Sequence, residues 1–242
     1  MKTLNILLLF LITLSANESF YKSKKELRKI YQGHQKTFYC ACKYNFKNNK
    51  NVIDKKSCGY NPRNRYYKSG KPNQRAKRIE WEHIMPAENF GRQLQCWRKG
   101  HSKCIKKNGK PFKGRKCCEK VSEKFRIMQA DMHNLVPAIG ELNGDRSNYR
   151  YDFYPAQPKQ YGECKFEVLF KEKRARVKKD IRGNIARAYL YMSDRYNILL
   201  SKQEQLKFNS WNKEDPVDEW EYQRNKSIIN IQGNLNSYIM IK

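Results

Sequence analysis

Apolar positions recur every three to four residues near both ends of this chain, which predicts amphipathic helices there. Near the start, Leu27, Ile30 and Tyr31 stand among lysines and predict a short helix over Tyr21–Tyr31. From Asp180 to Leu200 the same spacing predicts a long helix. The apolar positions of this second helix are Ile181, Ile185, Ala188, Met192, Tyr196 and Leu199.

Capping signals predict further helices after the long one. Ser201 and Glu204 have the spacing of a capping box, so a helix is expected to start there and run toward Trp211. Asp215 followed by Pro216 gives a cap and a proline at the first helical position, with acidic residues in the first turn. The last third of the chain is therefore predicted to be helical.

Alternating apolar and polar residues between these regions predict strands. Strand pieces are expected at Thr37–Tyr44 and Asn51–Ile53, and a longer alternating run covers Arg78 to His83. Glycine, proline and asparagine predict loops at Lys68–Lys77 and Asn108–Gly114. Helices and strands in this order predict an α+β fold.

The first residues have the composition of a secretory signal. Lys2 precedes an apolar stretch from Leu4 to Leu14, which small and polar residues follow. This stretch is shorter than the ~20 residues that span a bilayer, and an uncleaved membrane anchor is the alternative. We expect residues 1–18 to be a signal peptide, and residues 19–242 to form one domain, monomeric and without an anchor, in the periplasm or outside the cell.

Eight cysteines suit an oxidising compartment, and their even number predicts disulfides whose pairing stays open. They are Cys40, Cys42, Cys58, Cys96, Cys104, Cys117, Cys118 and Cys164. Because Cys117 and Cys118 are adjacent, we expect them to have different partners. The alternative is a zinc site with the ligands His101, Cys104, Cys117 and Cys118.

The net charge of +28 is spread along the chain, and such a field attracts polyanions. Aromatic residues stand among the lysines and arginines, a composition that suits nucleic acid. Solubility or binding to anionic lipid or sugar would explain the charge as well. The charge is not gathered on one amphipathic helix, however, which argues against a membrane-surface protein.

Two segments carry candidate chemistry. The string RIEWEHIMPAENFG places the carboxylate of Glu82 next to the imidazole of His83, and HNLVPAIGELNGDRSN supplies the amide of Asn143 on an expected helix. Adjacent residues of a strand face opposite sides, so the strand must end or turn near His83, and Pro86 agrees with this. A histidine can deprotonate water beside a metal ion, and oxygen ligands suit Mg²⁺ better than Zn²⁺. Taken alone, each residue would also fit surface polarity or a turn.

Longer strings around both segments resemble the endonuclease I family of bacterial periplasmic and secreted nucleases, which includes Vibrio-type extracellular deoxyribonucleases. The resemblance covers the chain from about Tyr31 to the C-terminus. The other strings that carry it are CGYNPRN, GRQLQCW, KFEVLFKEK, RGNIARAYLYMSDRYN, FNSWNKEDPVDEWE and IQGNLNSYI.

The resemblance implies a mixed α/β domain that contains a ββα-metal (His-Me finger) nuclease core and is stabilised by disulfides. It makes His83 the residue that activates water, and it makes Glu82 and Asn143 the metal ligands. Arg115, in the string GRK, matches the arginine that contacts the cleaved phosphate. Asn134 matches a residue that braces a loop at the site.

The implied function is an exported endonuclease that depends on Mg²⁺, with Mn²⁺ or Ca²⁺ as substitutes, and cuts DNA and RNA to leave 5′-phosphate ends. Contacts to the phosphate backbone imply little sequence specificity. Gln129 stands where some relatives carry an acid, a departure that bears on metal preference or rate. The alternative is a non-catalytic protein that captures DNA at the periplasm or cell surface.

Overall fold

A computed structural model describes residues 19–47, 50–153 and 159–240. Within these ranges the helices are α1 (Phe20–Ile30), α2 (Ala87–Gly91), α3 (Gln95–Arg98), α4 (Arg115–Val121), α5 (Glu123–Ala130), α6 (Gly140–Arg146), α7 (Arg182–Tyr196), α8 (Lys202–Glu214) and α9 (Glu219–Gln232). The strands are β1 (Tyr44–Lys47), β2 (Lys50–Ile53), β3 (Ile79–His83), β4 (Leu135–Ile139), β5 (Arg150–Phe153), β6 (Phe166–Leu169) and β7 (Arg174–Val177). The fold is mixed α/β, and the predicted signal peptide lies outside the described residues.

The strands form small separate sheets. β1 pairs with β2, and β3 pairs with β4, both antiparallel, with His83 opposite Leu135 in the second pair. In a third sheet β7 lies between β5, to which it is parallel, and β6, to which it is antiparallel. Both faces of β3 and β4 are largely buried, because a contiguous cluster of apolar side chains surrounds this pair and continues into α7.

The predicted helices are confirmed, with two changes at their ends. α1 starts after an N-cap at Ser19, and α8 starts with the complete capping box. α7 ends earlier than expected because Asn197 takes a left-handed backbone conformation, with φ of +53°. The predicted cap of the last helix is wrong: Asp218 caps α9, whereas Asp215 accepts a hydrogen bond from the backbone of Gly183 at 2.8 Å.

The predicted strand at Thr37–Tyr44 is wrong for most of its length. The backbone N–H of Ala41 donates to the carbonyl of Thr37 at 2.8 Å, and Ala41 has a φ of +54°. This segment is therefore a tight turn, and the strand begins only at Tyr44. The predicted strand at Asn51–Ile53 is confirmed as β2, and β3 ends at His83 as expected.

All eight cysteines lie in the described ranges and form disulfides, so the zinc alternative is wrong. The bridges are Cys40–Cys164, Cys42–Cys58, Cys96–Cys118 and Cys104–Cys117. The adjacent Cys117 and Cys118 do have different partners. The bridge from Cys104 to Cys117 closes the predicted loop at Asn108–Gly114 and leads directly into α4.

Across the described ranges, none of the helices combines the length and apolar character that crossing a membrane would require.

Candidate functional site

An open cavity of about 830 Å³ lies beside β3, and the four residues predicted for catalysis and metal binding all line it. They are Glu82, His83, Arg115 and Asn143. Glu82 and His83 end β3, Arg115 starts α4, and Asn143 lies on α6. The structure therefore brings together residues that are far apart in the sequence.

The chain leaves β3 through a link that Asn134 holds in place. The Asn134 side chain accepts from the backbone N–H of Met85 at 2.7 Å and donates to the carbonyl of Met85 at 3.0 Å. The backbone carbonyl of Asn134 accepts from Ile84 at 2.9 Å. These three bonds fix the end of β3 against the start of β4, and so they fix the position of His83.

His83 is buried in its neutral form. Its Nε2 lies 2.8 Å from the backbone carbonyl of Gln129. Because a carbonyl only accepts, Nε2 carries the hydrogen and the lone pair is on Nδ1. Burial, together with the charge of Arg115, lowers the pKa of His83 to about 3. The imidazole is therefore unprotonated at neutral pH, which is the form a general base requires.

Glu82 is buried with one of its two oxygens unused. Oε1 accepts from the hydroxyl of Tyr39 at 2.7 Å and from Arg146 at 3.2 Å. Oε2 is buried and has no hydrogen-bond partner among the described residues. Burial raises the pKa of Glu82, and the charge of Arg146 opposes that rise. A buried carboxylate oxygen without a partner is costly unless a ligand satisfies it.

Asn143 lines the same cavity, and no described residue donates a hydrogen bond to its side-chain oxygen. Its Nδ2 donates to Glu80 at 3.3 Å, which leaves Oδ1 as the atom available to a ligand. Together, Oε2 of Glu82 and Oδ1 of Asn143 are hard oxygen donors, a set that fits Mg²⁺ rather than Zn²⁺. No group of three or more His, Cys, Asp or Glu in the described ranges could hold a metal, so water and substrate would complete such a shell.

Arg115 reaches the cavity through its contact with Gln129. Its guanidinium donates to the side-chain oxygen of Gln129 at 3.2 Å and to Glu119 at 3.0 Å, and it lies over the ring of Phe20. Gln129 thus contacts two residues of the site: its side chain binds Arg115, and its backbone carbonyl binds His83. The Arg115 side chain is 40% exposed, so it remains accessible to an anion.

Two site residues were not predicted from the sequence. Arg146 is 1% exposed and donates to Glu82 and to the carbonyls of His83 and Ile84, at 2.9 and 2.7 Å. It lies three residues after Asn143 on α6, and this spacing on one helix face was the available signal. Tyr39 had no such signal, because only the tertiary fold brings it to Glu82.

Known proteins resemble this chain over nearly its whole length. The family model described as Endonuclease I matches residues 18–241. A periplasmic deoxyribonuclease of Aeromonas hydrophila is 45% identical over 240 residues, which cover 98% of this chain and 92% of the relative. An extracellular deoxyribonuclease of the same species is 45% identical over 223 residues, 92% of this chain and 88% of the relative.

A more distant relative agrees with this assignment. Endonuclease-1 of Buchnera aphidicola subsp. Acyrthosiphon pisum is 42% identical over 222 residues, which cover 92% of this chain and 80% of the relative. The strings that carried the resemblance lie within residues 18–241, which the family model matches. This protein belongs to the endonuclease I family.

Proposed function

We propose that this protein is an exported endonuclease that hydrolyses the phosphodiester backbone of DNA, and also of RNA. One observation carries the proposal: a neutral histidine, His83, shares a cavity with a buried carboxylate oxygen of Glu82 that no described residue satisfies. The relatives named as periplasmic and extracellular deoxyribonucleases support both the export and the DNA substrate.

The proposed reaction uses His83 as the general base. Nδ1 accepts a proton from a water molecule, and the resulting hydroxide attacks phosphorus. The bond from phosphorus to the 3′ oxygen then breaks, and the departing oxygen takes a proton from solvent while His83 releases its own, which leaves a 5′-phosphate and a 3′-hydroxyl. Arg115, held by Gln129 and partly exposed, donates hydrogen bonds to the phosphate that is cleaved.

A divalent ion would be held by Oε2 of Glu82 and Oδ1 of Asn143. We propose Mg²⁺, with Mn²⁺ or Ca²⁺ as substitutes, because both donors are hard oxygens. When bound, the ion supplies positive charge that stabilises the phosphate and the departing oxygen. In this proposal the antiparallel pair β3–β4 and the helix α6 that follows it form the ββα-metal core.

Little sequence specificity is expected because the cavity offers charge rather than base-reading groups. Besides Arg115, the cations that line it include Lys24, Lys25, Arg28 and Arg75. Contacts of this kind hold the phosphate backbone and carry no information about base sequence. We also propose that the protein acts as a monomer, in the periplasm or outside the cell.

Plasmid nicking by the oxidised protein tests this function. We expect supercoiled DNA to be nicked with Mg²⁺ and to stay intact with EDTA, and the new ends to be labelled by a 5′-kinase only after phosphatase treatment. Ends that the kinase labels directly would contradict the proposed direction of cleavage.

Capture of DNA without cleavage is the rival function. Such a protein would bind DNA without nicking it, whichever divalent ion is present. The logarithm of its binding constant would fall by about 0.9 for each contacted phosphate when the salt concentration rises tenfold. Oε2 of Glu82, which no described residue satisfies, lies beside a neutral His83 and favours catalysis, because binding of backbone phosphates requires neither feature.

A further inference from the structure

We infer that Glu80, clamped by Arg75, is a positioning residue that sets the orientation of the Asn143 amide. This inference rests on the proposed function, since it concerns the oxygen that Asn143 would offer to a cation. Glu80 and Asn143 are on β3 and α6, the two elements that also carry the proposed metal ligands, and both line the cavity.

The contact between Glu80 and Asn143 selects one of two amide orientations. Oε2 of Glu80 lies 3.3 Å from Nδ2 of Asn143. A carboxylate accepts only from the NH₂ group of an amide, so this contact leaves Oδ1 on the other side. If the amide turned over, it would present hydrogen-bond donors to the site, and donors do not bind a cation. The orientation of Asn143 therefore depends on the acceptor at Glu80.

Glu80 is fully engaged by neighbours, which separates its role from that of Glu82. Arg75 binds it in a bidentate manner, with Nε 3.0 Å from Oε1 and a terminal nitrogen 2.5 Å from Oε2. Arg78 contributes a further bond at 3.1 Å. Both oxygens of Glu80 thus have cationic partners, whereas Oε2 of Glu82 has no hydrogen-bond partner in the described part of the chain. Glu80 is built to hold Asn143 in place rather than to bind an ion itself.

Two glycines of α6 make room for this clamp. A Cβ at Gly144 would lie 2.2 Å from a terminal nitrogen of Arg75. One at Gly140 would lie 2.8 Å from the backbone carbonyl oxygen of Arg75 and 2.9 Å from Oε1 of Glu80. Neither glycine has a positive φ, and alanine is the better helix former. The conformation of the helix therefore does not require glycine at these positions. The Arg75 side chain requires it at 144, whereas at 140 both the backbone of Arg75 and the carboxylate of Glu80 require it. Because Gly140 and Gly144 are four residues apart, they share one helix face.

Binding of Mn²⁺ alone, measured by electron paramagnetic resonance without DNA, tests the clamp. Arg75→Gln removes a positive charge near the site, which by simple electrostatics would strengthen cation binding. We expect the opposite, a loss of roughly 10–100-fold in affinity, as for residues that orient metal ligands. Gly144→Ala changes no charge and should weaken binding in the same direction. Lys77→Gln, at an exposed cation of the same segment, is the matched charge control and should not weaken it.

A double-mutant cycle tests whether the clamp acts through Asn143. In an Asn143→Ala background we expect Arg75→Gln to have little further effect, because the group that it positions is gone. An undiminished effect in that background would overturn the inference, as would wild-type or tighter Mn²⁺ binding by Arg75→Gln in a protein whose urea unfolding shows it to be folded.

The wild-type result separates this inference from the function on which it rests. If the wild-type protein binds Mn²⁺ and both Arg75→Gln and Gly144→Ala match it, the clamp is wrong and the proposed metal site stands. If the wild-type protein binds no Mn²⁺, the metal site and the clamp are both wrong.

Discussion

Two buried arginine–glutamate pairs lie in different regions of this protein and differ in one respect. At the cavity, Arg146 binds Glu82 through Oε1 alone, and Oε2 has no partner in the part of the chain that the structure describes. Between α7 and α9, Arg187 binds both oxygens of Glu221. Both arginines are 1% exposed, so burial does not distinguish the pairs.

Two buried histidines, one in each region, differ in the space beside them rather than in their hydrogen bonds. His83 and His133 each place Nε2 on a backbone carbonyl, at 2.8 and 2.9 Å, and burial lowers their pKa values to about 3 and about 4. His83 lines the large cavity. His133 packs edge-on against Tyr191, and its Nδ1 is buried without a partner among the described residues.

This contrast shows that residue type, burial and a shifted pKa do not identify a site by themselves. What separates the cavity from the α7–α9 region is the carboxylate oxygen Oε2 of Glu82, which has no hydrogen-bond partner among the described residues and lies next to His83 at a space large enough for a ligand. We call Arg187–Glu221 the closed pair, because both carboxylate oxygens are bound by the arginine. This pair is expected to contribute to folding only.

Glu82→Gln is expected to have the largest effect, and it acts on activity. The amide keeps an oxygen for Tyr39 and Arg146 but removes the charge that the proposed Mg²⁺ needs. Loss of several kcal/mol of transition-state stabilisation corresponds to a plasmid-nicking rate about 10³-fold lower. A nicking rate within tenfold of wild type would show that Oε2 has no role in catalysis.

Glu221→Gln is the matched change in the closed pair, and it should act on stability. It removes a charge that satisfies a fully buried guanidinium, which is expected to lower the free energy of unfolding by about 3 kcal/mol. Urea unfolding measures this loss. The nicking rate per folded molecule should match wild type; a fall as large as that of Glu82→Gln would remove the distinction between the two pairs.

His133→Gln should change how stability depends on pH. Because the pKa of His133 falls from an ordinary 6.5 to about 4 on folding, the unfolded chain binds the proton first. Its contribution to stability is complete above pH 6.5 and is lost as the pH falls toward 4. The variant should therefore lose about 2 kcal/mol less than wild type between pH 6.5 and 5.

Urea unfolding at these two pH values measures the difference. His83 contributes in the same direction in both proteins, so it cancels from the comparison. Equal pH dependence in the variant and the wild type would mean that His133 is not held neutral by burial.

Phe20→Ala should have the smallest effect. Phe20 stacks on His83 with ring centroids 5.0 Å apart, a contact of about 0.5–1.5 kcal/mol. We expect nicking at pH 7.5 to fall by about 2–10-fold. Greater exposure also raises the pKa of His83 toward its ordinary value, so activity should fall further below pH 6. Nicking rates across pH 5–8 that match wild type would contradict a role for this contact.

Short sequence patterns predicted the features of the fold that depend on residues close together in the sequence, such as helix starts. The capping box at Ser201 and Glu204 needs only four residues. The end of β3 at His83 was predicted from the nearby Pro86, although the hydrogen bonds that hold it come from the distant Asn134. The site residues Glu82, His83 and Asn143 were found because two contiguous strings contain them. Their arrangement around one cavity followed from the resemblance, not from spacing.

Interactions between distant residues were not predictable in the same way. The strand expected at Thr37–Tyr44 fails because disulfides from Cys40 and Cys42 reach to Cys164 and Cys58, on either side of a turn at Ala41. Tyr39, which this turn brings to Glu82, was missed for the same reason. The alternation of apolar and polar residues indicates which positions are buried, but it does not indicate which other residues they contact.

The most direct test compares the two buried histidines in one cleavage experiment. His83→Ala and His133→Gln would be assayed for plasmid nicking with Mg²⁺, with rates expressed per folded molecule. Removal of a general base costs about 10²–10⁴-fold in rate, so we expect His83→Ala to be that much slower and His133→Gln to match wild type. Nicking by His83→Ala at the wild-type rate would contradict the account.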